Sequence, residues 1–79
     1  MEDENYYVTS DLGLASVLSL THTIEKTDKS NLKRVLFYFQ KTPKLEKLCA
    51  DYWNKKLKVE PQAFFMQTKV LKNMIYEQA

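Results

Sequence analysis

The chain is predicted to fold as a small α+β domain of order β-α-β-β-α-α, a three-stranded antiparallel sheet packed by helices. Three observations predict it. "KRVLFYFQ", Lys33 to Gln40, places Val35, Phe37 and Phe39 on one side and Arg34, Leu36, Tyr38 and Gln40 on the other, as a strand with one wholly apolar face does. "TPKLEKLCADYWNKKL" repeats Leu45, Leu48, Cys49, Tyr52, Trp53 and Leu57 at helical spacing. One Gly and two Pro in 79 residues leave little chain for long loops, so most of it must lie in regular elements.

The aromatic and β-branched run "NYYVT" reads as the first strand, and "SDLG" then starts a helix, with Ser10 as N-cap and Asp11 in the first turn, where the helix dipole favours an anion. That helix is expected over about Asp11 to Leu20, ending where "THT" brings two β-branched threonines. Gly13 falls inside it, at a cost of about 1 kcal/mol relative to Ala, which points to a close packing contact there. A hairpin follows: Thr23 to Glu25 as a weaker strand, the polar "KTDKSN" as its turn, and Lys33 to Gln40 as the strong, central strand. Its apolar face calls for a helix layer, so Phe37 and Phe39 should be buried against the first two helices.

Thr42 as N-cap and Pro43 at the first helical position open the second helix, which is read to run through Leu57 with Lys44, Lys47, Asp51, Lys55 and Lys58 on its outer face. "VEP" breaks it and Pro61 starts the third, with Val59 placed to staple onto the first turn. Ala63, Phe64, Val70, Leu71, Met74 and Ile75 form the inner stripe of that helix, which should end near Tyr76.

At this length the chain is a single domain, residues 1–79, with an acidic and flexible amino terminus over residues 1–5. A domain of this size buries only about 60% of the surface its unfolded chain exposes, so its stability should be modest. The acidic "MEDENYY" is neither a signal nor a transit peptide, and no apolar run approaches the roughly 18 residues of a membrane span. With one cysteine there is no internal disulfide framework, and a cytoplasmic protein is expected. The net charge of +2 hides an asymmetry: residues 1–28 hold six acids and one base, residues 29–58 nine bases and two acids, and the remainder two of each. The basic middle third is either a phosphate-binding footprint or the counterpart of the acidic first third.

Catalysis by acid and base, by a nucleophile or by zinc needs converging groups, and here a single His22 and a single Cys49 face few partners. Cys49 falls within an apolar stripe, where a cysteine packs as a small hydrophobe, and His22 reads as a satisfied histidine at a helix end. Tyr52 and Trp53 share the stripe and read as core. No catalytic residue, metal site, cofactor or small-molecule substrate is expected.

The motifs "YVTSDLGLASVLSL", "RVLFYF" and "VEPQAFFMQTKVLKNMI" together resemble a short family of uncharacterised bacterial and phage-associated domains, known only as a domain of unknown function. Its pattern T-x-D-L-x-L-A, an aromatic strand, V-x-P-x-x-F and L-K is carried by Thr9, Asp11, Leu12, Leu14, Ala15, Phe37, Phe39, Val59, Pro61, Phe64, Leu71 and Lys72. The chain departs from it in "SVLSLTHTIEK", where a glycine after the first helix is expected. The resemblance implies a phage or mobile-element setting and no enzymatic role.

Two functions follow as expectations. The first is a non-enzymatic interaction or accessory module that binds a protein partner or forms a homodimer, with Leu36, Tyr38, Tyr52 and Tyr76 as interface candidates. The second is a small nucleic-acid-binding protein with a basic helix face, in which Lys44, Lys47, Lys55 and Lys58 take phosphates and Arg34 or Tyr38 takes bases, with Lys41 a further candidate at the strand end.

Overall fold

The computed structural model describes residues 5–31 and 33–76. Its elements are β1 (Tyr6–Thr9), α1 (Leu12–Ser19), β2 (Ile24–Asp28), β3 (Leu36–Gln40), α2 (Pro43–Trp53) and α3 (Pro61–Tyr76), the β-α-β-β-α-α order that the sequence predicts. β3 is central, in the strand order β1-β3-β2, and both pairings are antiparallel. The expected flexible amino terminus falls outside the described residues except for Asn5, whose carbonyl accepts from the Lys41 N–H at 3.1 Å. That residue is tied to the end of β3.

The register sorts the sheet into two faces. Tyr7 and Ile24 stand opposite Phe39, and Thr9 and Thr27 opposite Phe37, so these residues share the inner face with the two fully buried phenylalanines. Phe37 and Phe39 join Leu14, Ala15, Leu18, Val35, Leu45, Cys49 and Leu71 in one core, as expected for a strand covered by helices. Tyr6, Val8, Leu36, Tyr38 and Lys26 occupy the outer face. The molecule is only 18 Å deep in its thinnest direction, room for one helical layer on one sheet.

Four boundaries differ from the sequence reading, each for a local reason. The N-cap of α1 is Asp11, not Ser10: its carboxylate accepts from the Leu14 N–H at 2.9 Å, while Thr9 Oγ1 accepts from the Asp11 N–H at 3.0 Å. An Asx cap reaching three residues on satisfies the orphan donor that the serine was expected to satisfy. At its other end α1 needs no glycine, because Thr21 and His22 both donate to the Leu18 carbonyl, at 3.2 and 2.9 Å, with Leu20 still right-handed at φ −65°. The weaker strand lies at Ile24–Asp28 rather than Thr23 to Glu25, so Lys26, Thr27 and Asp28 are in the sheet. A bulge between Ile24 and Lys26 admits the extra residue and lets the polar segment pair. β3 correspondingly starts at Leu36, because the Arg34 N–H is spent on the Asn31 carbonyl at 2.9 Å in the turn.

The largest difference is at the end of α2, which stops at Trp53 rather than running through Leu57. Lys55 is left-handed at φ 61°, its N–H bonds the Tyr52 carbonyl at 3.1 Å, and the Lys56 N–H reaches back to the Asp51 carbonyl at 2.9 Å. This is a Schellman closure with lysine where glycine is usual. Elsewhere the start signals hold: Thr42 Oγ1 accepts from the Leu45 N–H at 3.0 Å with Pro43 at the first helical position. At α3 the Glu60 carboxylate accepts from the Gln62 and Ala63 N–H groups, at 3.1 and 2.7 Å.

Gly13 has the close contact that its position implies. A Cβ there would lie 2.6 Å from Tyr52 Oη, which in turn donates to Asp11 Oδ1 at 3.4 Å. One polar link also joins α1 to α3: the buried Ser16 Oγ donates to the Leu12 carbonyl at 2.8 Å, and Thr68 Oγ1 lies 3.1 Å from it. The Thr68 carbonyl-side alternative is Phe64 O at 3.0 Å, so its single proton always finds an acceptor.

Candidate interaction surfaces

Cys49 is built into the core, and His22 meets its chain neighbour Thr21 at the surface. Cys49 is buried, and burial first, with the Glu46 charge adding to it, pushes its thiol up against an opposing hydrogen bond from Tyr7. Such a thiol is protonated and inert near neutrality. His22 Nδ1 lies 2.9 Å from Thr21 Oγ1. Among the described residues no three His, Cys, Asp or Glu side chains converge as metal ligands would, and no helix is long and apolar enough to cross a membrane.

The four-lysine row expected along the second helix is not a row. Lys44 and Lys47 are on α2, but Lys55 sits in the left-handed turn beyond it and Lys58 in the extended connection to α3. Lys47 also pairs with Asp51 at 3.4 Å. The helix closure at Lys55 is what separates them. Trp53, read as core, is 58% exposed and meets Tyr52 edge to face, with ring centroids 5.0 Å apart. Tyr52 itself is half-buried and turned inward toward Asp11, and burial, then the Asp11 charge, pushes its hydroxyl pKa up. Its hydroxyl joins α2 to the N-cap of α1.

An open groove of about 340 Å³ lies between these elements, lined by Val17, Tyr52, Lys55, Leu57, Val59 and Phe64. Val59 and Phe64 both line it, the two positions of the staple expected at the start of α3. Apart from the Tyr52 hydroxyl and the Lys55 ammonium its wall offers no side-chain polar group to orient a ligand.

Two surfaces remain. The first is the outer side of α3, where Phe65, Met66, Val70 and Tyr76 are 60%, 61%, 46% and 74% exposed. Val70 was assigned to the inner stripe, but Leu71 is the residue that points into the core, with Met74 and Ile75 packed against it. Ala63, also assigned inward, is exposed. "FFMQTKVL" is apolar on too many sides for periodicity alone to say which side is covered. The second surface is the outer face of the sheet, where the candidates Leu36 and Tyr38 are joined by Tyr6, Val8 and Lys26. Tyr6 and Tyr38 meet edge to face, centroids 5.9 Å apart at 79°, and Lys26 Nζ stands 4.6 Å above the Tyr38 ring. The sequence reading missed Tyr6 and Lys26 because β2 had been ended before Lys26 and β1 had no register.

Arg34 and Lys41 bracket this second face, in the turn before β3 and immediately after it, and both are exposed. The structure therefore places Tyr38 in the middle of β3, with Arg34 two residues before the strand and Lys41 directly after it. Lys44, Lys47, Lys55 and Lys58 do not join them in one element.

Residues 4–77 match the family model described as Domain of unknown function (DUF5659). The chain belongs to the DUF5659 family. This agrees with the resemblance to an uncharacterised domain family seen in the sequence, and the match extends over every element of this DUF5659 fold. Comparison with curated proteins and with solved structures found no match.

Proposed function

We propose that this DUF5659 chain is a non-enzymatic interaction module that docks onto a different protein through the outer side of α3. The observation that carries the reading is the concentration of exposed apolar side chains there: Phe65, Met66, Val70 and Tyr76 belong to one helix of a small domain. Grouped exposure of large apolar side chains is the usual mark of a protein contact. The inert Cys49 and the isolated His22 support the absence of catalysis.

Charge decides between a second copy and a different partner. The ionisable side chains of α3 are Lys69, Lys72 and the phenol of Tyr76, with no carboxylate from Pro61 to Tyr76. Lys69 Nζ stands 4.9 Å above the Phe65 ring, inside the patch. A two-fold contact centred on this face would bring like charges together, whereas an apolar surface rimmed by Asp and Glu would complement it. The partner is therefore a protein of that chemistry, and the homodimer is the alternative outcome. A cytoplasmic location and a phage or mobile-element setting belong to the same reading, supported by the lone cysteine and by the family resemblance.

The experiment places a photo-crosslinking amino acid at Phe65, with Lys44 on α2 as the control position, in cells that express the chain. The expected result is one adduct from position 65, absent from position 44 and abolished by Met66→Glu, whose partner carries an acid-rimmed apolar surface. Light scattering should give a monomer at about 100 µM, since a small exposed patch with unmatched like charge does not sustain a dimer. A dimer broken by Met66→Glu would establish self-association instead, and no adduct at all would remove the α3 reading.

A further inference from the structure

We propose that the outer face of the sheet is a platform for single-stranded nucleic acid, on which Tyr38 and Tyr6 stack bases while Lys26, Lys33, Arg34 and Lys41 take phosphates. This surface lies on the other layer of the molecule from the α3 contact and does not depend on it.

The placement follows from register. Tyr38 is the middle residue of the central strand, opposite Val8 on one side and Lys26 on the other, with Tyr6 diagonal to it on the same face. Tyr6, Val8, Leu36 and Tyr38 are half-buried and lie outside both the core cluster and the apolar residues packed on it. The ammonium of Lys26, itself exposed, stands 4.6 Å above the Tyr38 ring, so the outer side of that ring is reachable from water. A planar base can take the place of the ammonium, which then moves to a phosphate. Paired bases in a duplex offer no free face to stack on, so the occupant is a single strand.

Cations flank the aromatics along the strand direction. Lys33 and Arg34 lie before β3, Lys41 after it, and all three are exposed. From Leu36 to Gln40 the strand between these cations advances roughly 13 Å, the reach of two or three nucleotides. Among the described residues, the carboxylates on these strands are Asp28 at the end of β2 and Glu25 in the bulge. Asp28 is engaged by the Ser30 hydroxyl and N–H, at 2.6 and 2.9 Å, and the Ser30 hydroxyl bond first, then the Ser30 N–H, lowers its pKa. Four cations against two acids favour a polyanion. An acidic peptide shares the charge but not the stacking face, and it is one arm of the test.

The test is fluorescence anisotropy with labelled mixed-sequence 12-nucleotide single strands, DNA and RNA, and the matching duplex, between 50 and 200 mM salt. Single strands should bind more tightly than duplex, with a log–log salt slope near −2.8 if four phosphates are neutralised, from about −0.7 each. Tyr38→Ala should weaken binding roughly 5- to 150-fold, the loss of one stacked base, without changing the slope. Lys33→Gln, in the exposed turn where folding is not at stake, should flatten the slope by about 0.7. Tyr38→Phe keeps the ring and should keep the affinity, which guards against a folding defect in Tyr38→Ala, as does the circular dichroism of each variant. The proposal is overturned by absence of binding to single strands at 50 mM salt, by equal binding to duplex, or by folded Tyr38→Ala binding as wild type. Displacement by poly-glutamate at equal charge concentration would assign the face to an acidic polypeptide and overturn it too.

Discussion

Five consecutive residues of α1, Leu14 to Leu18, are buried, whereas α3, twice as long at 16 residues, buries Leu71 alone. The two helices pack on each other, but α1 also meets α2 and carries Leu14, Ala15 and Leu18 into the core shared with Phe37 and Phe39. A helix covered on most sides has to be apolar on most sides, and "LGLASVLS" is. α3 is apolar on most sides too, yet one side carries exposed Phe65, Met66 and Val70 with none of the described residues burying them. The same composition therefore has two meanings: in α1 it describes the interior, and in α3 it describes an interior on one side and an exposed apolar surface on the other.

The comparison breaks most visibly if a buried residue of α1 is truncated. Leu18→Ala should cost about 2–5 kcal/mol, because the side chain is fully buried and its neighbours on α3 and β3 can collapse only partly into the space. Against a total of about 4–12 kcal/mol for a domain of this length, that is a large fraction. Urea denaturation followed by circular dichroism measures it; a loss below about 1 kcal/mol would mean that α1 is not the centre of the core.

Gly13 sharpens the same point from the backbone side. Replacing it with Ala gains up to about 1 kcal/mol of helix propensity but places a Cβ 2.6 Å from Tyr52 Oη, which must move and give up its bond to Asp11. The net change in the wild-type background should be a loss of about 1 kcal/mol. In Tyr52→Phe the hydroxyl is gone, the nearest ring carbon is at an ordinary 3.7 Å and only Asp11 Oδ1 stays tight at 3.3 Å, so with a small shift of that carboxylate Gly13→Ala should there be neutral or slightly stabilising. The coupling read from the double-mutant cycle, about 1–2 kcal/mol, is the quantity to measure. Additivity would show that Gly13 serves something other than the approach of Tyr52.

How much of this was legible in the sequence depends on whether neighbours or distant residues decide the structure. Strand–helix order, the centrality of the phenylalanine strand, the Thr42 cap and the close contact at Gly13 follow from signals within a few residues. The end of α2 was not legible, because Lys55 takes the left-handed conformation without the glycine that announces it, and apolar Leu57 continued the helical spacing. β2 was placed too early because "KTD" is polar and pairs only through a bulge. The candidate surfaces were half legible: Tyr38 lies on β3 with Arg34 just before the strand and Lys41 just after it, but the four-lysine row required a helix longer than the chain makes. Tyr6 and Lys26 reach Tyr38 across strands, and no local pattern contains a register.

A smaller effect is expected where α2 hands over to α3. Lys55 at φ 61° holds a side chain in a region that disfavours a Cβ, and glycine takes it without strain. Lys55→Gly should therefore stabilise the domain by about 0.5–1 kcal/mol in urea, after allowing for the greater freedom glycine gives the unfolded chain. Lys55→Ala should leave stability near wild type, since it keeps the Cβ and thus the strain. Equal stability of the Gly and Ala variants would show that the turn is not held left-handed in solution.

The smallest effect belongs to the outer side of α3, and it separates the two helices most cleanly. Phe65→Gln, Met66→Gln and Val70→Gln each replace an exposed side chain by a good helix former, so each should change stability by no more than about 0.5 kcal/mol. Phe65→Gln also removes the ring under Lys69, an exposed cation contact worth about 0.5–1 kcal/mol, which places it at the unfavourable end of that range. The triple variant should melt within a few degrees of wild type, and Met66→Gln with Val70→Gln should abolish the crosslink from position 65. Leu71→Ala is the internal control: one residue along the same helix from Val70, fully buried, it should cost about 2–5 kcal/mol. If the triple variant loses as much as Leu71→Ala, these side chains are packed in solution and α3, like α1, is an interior helix; if it does not, they add nothing to the fold and the outer side of α3 is free for the contact proposed above.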